Sequence, residues 1–487
     1  MDAAAARTRH PAWTWAAALV AVFMVAIDTL VVTTALPSIR VKLGAGLEGL
    51  EWIVNAYTLT FAVFLLTGAA LGDRFGRRTV FTAALTLFTA SSAVAAMAHN
   101  VGLLVAARAL QGLGAAVIMP LTLTLLASVV PTDRRGQAFG LWGGMVGLGV
   151  AVGPVVGGAI AQTWSWQWIF WVNVPTGVLL LPVMAFVRNS RGGAGRLDPV
   201  GVVLVTTGLF GIVAGLVQGN ADGWSSPRIL TGLVTGGFLL LAFVYWETRA
   251  RYPMLPLVLF RSRGFSLTMV TSVIMPFGVF GAVFLGTQYL QGVLGFSPLE
   301  AGVRTLPWTA MPLFAAPMSG YLTDRIGGKP LVVIGLALQA VGIGWIGAIA
   351  TPDLPYSALV APFILTGLGL GMFLAPVARL AIGFAPADME GVASGVTNAV
   401  RQFGTVLGVS VGGAVLGAYH GFTSAAAFIN GLAASHLLAA GALALGVLMA
   451  CAIPGRPRQP RVSTVETEAT VETEADVLAG VPGPVAS

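Results

Sequence analysis

The chain has 487 residues, of which 56% are hydrophobic and only 9% charged, against about 25% charged in a soluble domain of ordinary make-up. That balance excludes a soluble enzyme or binding module and points to an integral membrane protein. The net charge of +7 does not indicate a nucleic-acid binder, because the basic residues sit in short turns between apolar runs and form no single patch.

Apolar runs of about 20 residues, each able to cross ~30 Å of hydrocarbon as a helix, follow one another from residue 13 to residue 453. The first, 13–37, follows Arg7 and Arg9 but is too long for a signal peptide and shows no small-residue cleavage site, so it reads as a retained helix 1. Helices 2 to 14 are expected at 50–71, 78–98, 101–130, 136–162, 167–187, 199–218, 228–247, 264–290, 299–322, 330–350, 357–380, 392–417 and 431–453. With the N-terminus inside, the inside turns hold Arg74, Arg77, Arg78, Arg134, Arg135, Arg188, Arg191, Arg196, Arg249, Arg251, Arg261, Arg263, Arg325 and Lys329. The outside loops keep Arg40, Lys42, Arg228 and Arg304. This asymmetry supports a multi-pass protein of the cell membrane with both termini cytoplasmic.

Residues 1–12 then form a short cytoplasmic N-terminus. Residues 454–487, which carry "TVETEATVETEAD", hold too little apolar surface to fold and read as a disordered cytoplasmic tail. The single cysteine, Cys451, excludes an intramolecular disulfide, and His10, His99, His420 and His436 are too scattered for a metal cluster. No cofactor, nucleotide or nucleic acid is expected as a partner, since no P-loop or nucleophile motif is present.

"LGDRFGRR" (71–78) after helix 2 and "GYLTDRIGGK" (320–329) after helix 10 form an internal repeat, with Asp73 and Asp324 as the matching acids. The motifs lie eight helices apart, so a six-helix repeat unit leaves two extra helices, 7 and 8, in the middle. The expected domains are a first six-helix bundle at 13–190, two additional helices with linkers at 191–263, and a second six-helix bundle at 264–453.

These motifs resemble those of the major facilitator superfamily, and specifically its fourteen-helix drug:proton antiporter branch. The likeness runs over nearly all of residues 13–453. "AALGDRFGRR" is similar to the family's cytoplasmic motif, with Ala69 where its first glycine is usual and Gly68 adjacent. "LVAARALQGLGAA" matches the helix 4 motif, and "GLGVAVGPVVGG" (147–158) the antiporter signature of helix 5. "AIDTLVVTTALP" (26–37) resembles the branch's helix 1, and "WQWIFWVNVPTG" and "YLQGVLGFSPLEAGVRTLP" are also typical of it. The resemblance implies an all-α major facilitator fold and a proton-coupled antiporter exporting amphipathic small molecules, drugs or antibiotics, by alternating access. Its partners would be the lipid bilayer, protons and the exported compound, and no bond would be made or broken. A solute importer of the same superfamily is the first rival and a non-transporting membrane receptor the second.

Asp28 and Arg108 are the candidate proton-coupling pair. An acid inside an apolar run costs roughly 2.5–3.5 kcal/mol on insertion scales and needs a reason. Asp28 lies ~22 Å into helix 1 from the inside and Arg108 ~10 Å into helix 4 from the outside, which is one level in a core of about 30 Å. Arg108 would favour the carboxylate and burial would oppose it, leaving a group poised to gain or lose a proton. The alternative is a buried ion pair that merely fixes the packing of helices 1 and 4.

Gly149, Gly153 and Gly157 recur every fourth residue beside Pro154, a glycine stripe that the resemblance associates with exporters and with the interface between halves. Asp73, Arg74, Gly76, Arg77 and Arg78, with Asp324, Arg325 and Lys329, are candidate gating residues. Candidate substrate contacts, placed by the family's arrangement of helices, are Asn55, Tyr57, Gln111, Trp142, Gln288, Asn398, Arg401 and Gln402. Each of these also has the plainer reading of a polar bridge between helices. Arg401 stands out, because an arginine in an apolar helix usually faces a cavity or a partner, and it would suit anionic or zwitterionic compounds.

Overall fold

Helices and the turns between them account for the computed structural model, which describes residues 11–131, 135–191, 198–386 and 389–455. Thirteen helices in it are long and apolar enough to cross a membrane. They are α1 (Pro11–Leu43), α2 (Leu47–Phe75), α3 (Arg77–Ala96), α4 (Val101–Val129), α5 (Arg135–Thr163), α6 (Trp168–Phe186), α7 (Pro199–Asp222), α8 (Pro227–Arg249), α9 (Arg263–Gln288), α11 (Gly328–Ile349), α12 (Ser357–Gly383), α13 (Glu390–Ala418) and α14 (Ala425–Cys451).

The fourteenth segment, α10, covers 298–326 but is broken into Pro298–Arg304, Leu306–Thr309 and Met311–Ile326. The sequence reading expects it to be continuous. Pro307 and Pro312 each remove a backbone donor and crowd the preceding turn, just after the two interruptions at Thr305 and Ala310. In α6 the backbone stays helical through Val172, with φ −58° and ψ −31°. Helix α1 continues through Pro37 to Leu43, so Arg40 and Lys42 lie in its last turn and not in a loop. The tail at 456–487, the N-terminal residues 1–10 and the turn arginines Arg134 and Arg196 lie outside the described residues.

Polar side chains next to the apolar runs fix several helix starts. Asn100, Ser226, Ser262 and Ser424 each accept a hydrogen bond from a first-turn N–H of α4, α8, α9 and α14. Ser297 and Glu300 form a reciprocal capping box at the start of α10. Gly76 and Gly327 close the two matching turns with φ of 103° and 85°. Side-chain-bearing residues rarely adopt that region, which explains glycine at both copies of the repeat.

The repeat extends to packing. Gly149 and Gly157 of α5 would drive a Cβ to 2.8 Å from the Ala26 side chain and 2.6 Å from the Val31 carbonyl oxygen of α1. Gly404 and Gly408 of α13 press in the same way on the Val273 and Phe277 carbonyls of α9. The fifth helix of each set therefore lies against the first through a glycine stripe. Also, α2 packs on α4 and α13, while α7 packs on α8 and on the flank of α2 and α13.

Candidate functional site

Asp28 lies midway along α1, and its side chain is fully buried. Its Oδ2 accepts a hydrogen bond from Arg108 Nη1 of α4 at 2.6 Å, and its Oδ1 accepts one from Asn173 Nδ2 at 2.9 Å. Asn173 lies near the start of α6, on the turn that meets α1 beside Asp28. Arg108 is 2% exposed and also donates to the Ile53 carbonyl of α2 at 3.2 Å and to Gln111 Oε1 at 3.1 Å. Gln111 passes the chain on to Ser92 Oγ of α3 at 2.7 Å. The Tyr57 ring lies under the guanidinium at 4.1 Å, within cation–π range. Five helices thus converge on one ion pair. Breaking such a pair is costly, although an apolar substitute for both partners is often as stable.

A cavity of about 660 Å³ opens below this network. Its walls come from α2, α4, α5 and α13, with Phe61, Met119, Trp142, Asn398, Arg401 and Gln402 among them. Asp73 at the end of α2, Asp198 at the start of α7 and Gly391 at the start of α13 place its mouth on the side of the α2–α3 turn. Arg401 donates to Asn398 Oδ1 at 3.3 Å, and among the described residues no carboxylate pairs with it. Trp142 Nε1 donates to Thr122 Oγ1 at 2.9 Å. Asp28 and Arg108 do not line the cavity. Tyr57 stacks on Phe61, with ring centres 6.1 Å apart, and this step of one α2 turn separates the ion pair from the cavity's closed end.

Four of the eight sequence candidates for substrate contact, Trp142, Asn398, Arg401 and Gln402, therefore reach the cavity. The others do not. Asn55 Nδ2 donates to Ser410 Oγ at 2.9 Å across the α2–α13 seam, Tyr57 and Gln111 serve the ion pair, and Gln288 is buried on α9. Asn55, Tyr57 and Gln111 lie on helices that border the cavity, but on faces turned towards another helix, whereas no residue of α9 lines it.

At the α2–α3 turn, Asp73 pairs with Arg77 at 2.9 Å, and Arg74 lies over the Phe75 ring. The Arg77 and Arg78 backbone amides donate to Ser190 O and Asn189 Oδ1, and Arg78 Nη1 donates to Val187 O. The turn is thus anchored to the chain that leaves α6. The matching turn differs from the sequence expectation of Asp324 beside Arg325 and Lys329. Asp324 pairs with Arg379 at the end of α12, and Arg325 lies over the Tyr321 ring.

The α5 stripe also differs in its partner. Gly149, Gly153 and Gly157 face α1 around Asp28, whereas Pro154 and Gly158 face Gly302 and Pro298 of α10. Asn173, Arg379 and Glu51 are polar residues that the sequence reading does not assign, although each is a lone polar group in or beside an apolar run.

A family model described as Major Facilitator Superfamily matches residues 18–409 and 282–479. The chain belongs to the major facilitator superfamily. It is 37% identical to the tetracenomycin C resistance and export protein of Streptomyces glaucescens over 82% of this chain and 75% of that one. It is 34% identical to the puromycin resistance protein of Streptomyces alboniger over 91% and 90%. Among solved structures, a peptide transporter in complex with sulfate aligns with a TM-score of 0.68 at 17% identity, covering 90% of this chain and 94% of the other, which supports the fold alone. As a major facilitator protein with this many apolar helices, the chain is a multi-pass membrane protein of a transporter family.

Proposed function

We propose that this major facilitator protein is a proton-coupled antiporter that exports amphipathic drugs or antibiotics by alternating access. Support for export comes from the resistance and export proteins among its relatives. The observation that carries the coupling is Asp28, a fully buried carboxylate held by one arginine and one amide beyond the closed end of a cavity. In this reading the bundles 13–190 and 264–453 rock about the cavity, with α7 and α8 between them in sequence, and Asp28 lies behind the Tyr57–Phe61 step. Both termini lie in the cytoplasm, and the cavity faces inward.

Compound enters past Asp73 and meets the apolar wall of Phe61 and Met119 and the polar group of Trp142, Asn398, Arg401 and Gln402. Arg401, with no acid beside it, suits neutral, anionic or zwitterionic compounds better than dications. Rearrangement of the Tyr57–Phe61 step opens Asp28 to the cavity, where the arriving compound displaces its proton inward and the carboxylate pairs with Arg108, and protonation from the far side after the compound has left releases it again. The two turns with Asp73–Arg77 and Asp324–Arg379 change partners as the mouth closes. One charge moving through 100 mV supplies about 2.3 kcal/mol, enough for accumulation by some tens of fold before any pH gradient is added.

A panel of compounds added to energised inverted vesicles, with lumenal pH followed, tests both halves of the reading. A substrate triggers proton release from the lumen. Transport of compounds with no proton movement would leave a facilitator without coupling.

A further inference from the structure

We propose that Glu51 is a second proton-binding site, set in the closed seam between α2 and α13, that carries its proton while the seam is shut and releases it when the seam parts. The inference rests on alternating access as proposed above, and it concerns a residue outside the Asp28 network.

The two helices behave differently at their two ends. Towards the cavity mouth Leu66 still lies against Gly395, and beyond it Thr67, Ala70 and Asp73 of α2 and Gly391 and Ser394 of α13 border the open space. At the other end they close on each other through the Asn55–Ser410 hydrogen bond and, one turn earlier on α2, through Glu51. The Glu51 side chain is 1% exposed and lies on Gly413 of α13, where any Cβ would fall on the carboxyl group. Glycine is therefore what admits the acid, and Oε2 has no hydrogen-bond partner among the described residues.

The charged and titratable groups of the surrounding elements offer no counter-ion. Glu48 on the same helix repels it. Arg108 of α4 is taken by Asp28 and the Ile53 carbonyl, Arg40 at the end of α1 lies over Phe422, and Asp222 beyond α7 pairs with Arg228 at 3.0 Å. His420 follows the end of α13. Among the described residues, none of these is joined to Glu51 by an ion pair or a hydrogen bond.

A bare carboxylate taken out of water without a cation is heavily penalised, whereas the neutral acid is not, so the shut seam accommodates only the protonated form. Alternating access must close the mouth and part this seam, which brings water to Glu51. The O–H bond then breaks, the proton passes to that water, and a hydrated carboxylate remains. Reclosing needs a proton taken up from the same side, so the seam is a gate whose closed state is favoured by acid in that compartment.

The test uses the full chain in lipid nanodiscs with Cys451→Ser and spin labels on Val41→Cys and Tyr419→Cys, two exposed positions at the closed end. Raising pH should shift the label distance towards longer values in the parent. In an Asp28→Asn background, which removes the coupling acid's own titration, Glu51→Gln should lose this shift and stay short, and Glu51→Asp should keep it with a displaced midpoint. An infrared band of a protonated carboxylic acid, present in the parent and missing in Glu51→Gln, reads the proton without any transport. A pH response that survives in Glu51→Gln in that background, or an infrared spectrum that Glu51→Gln leaves unaltered, overturns the proposal. The infrared readout fails or succeeds independently of transport in the Asp28 variants, so failure of this inference and failure of the antiport reading are separable.

Discussion

Asp28 is held in place by groups from two other helices, and each group can be removed singly. Arg108→Ala leaves a buried carboxylate and the Ile53 carbonyl without their donor, and the expected loss is about 3–5 kcal/mol, read as a lower unfolding temperature in detergent. Asn173→Leu removes one hydrogen bond to the carboxylate and should cost less, about 1–3 kcal/mol, with transport reduced but measurable. If both variants unfold like the parent, the network does not hold the acid. The depths of Asp28 and Arg108 along helices 1 and 4 are readable from sequence because each is a lone charge in an apolar run. Glu51 is not readable in that way. It lies where helix 2 is expected to begin, at the aqueous boundary, and only α13, far along the chain, buries it. Asn173 is hidden for a similar reason, since its reach to Asp28 depends on how α6 packs beside α1, 145 residues away in sequence.

Among the elements, α5 offers an internal control. Gly157→Ala pushes a Cβ against the Val31 carbonyl beside Asp28, and overpacking of this kind costs about 1–3 kcal/mol. Gly143, on the same helix, has nothing within 4 Å of a built Cβ. Gly157→Ala should lower both the unfolding temperature and transport, while Gly143→Ala should change neither. Equal behaviour of the two would mean that α5 does not press on α1. The every-fourth spacing of these glycines shows in the sequence that a close helix contact exists. It does not name the contacting helix, and the stripe faces α1 while its neighbours Pro154 and Gly158 face α10. The bends of α10 are likewise foreseeable from its prolines, but a window of hydropathy smooths over them.

For the whole molecule, the number and order of apolar segments and the paired turns at Gly76 and Gly327 carry most of the fold, because a bilayer leaves helices few alternatives. Which end of the assembly is open cannot be written in a pattern of hydrophobic residues, since it depends on how α2 meets α13. Asn55→Cys with Ser410→Cys in a Cys451→Ser background places two thiols where a 2.9 Å hydrogen bond now joins the seam. Oxidation should arrest transport and reduction should restore it, whereas transport that continues with the bridge formed would show that this seam need not part. The central claim is that Asp28 couples compound to proton. It is tested most directly by comparing the parent and Asp28→Asn in the same vesicles, by substrate exchange without a gradient and by uphill transport with one. The account predicts that Asp28→Asn keeps exchange and loses proton-driven accumulation, and undiminished accumulation in that variant would contradict it.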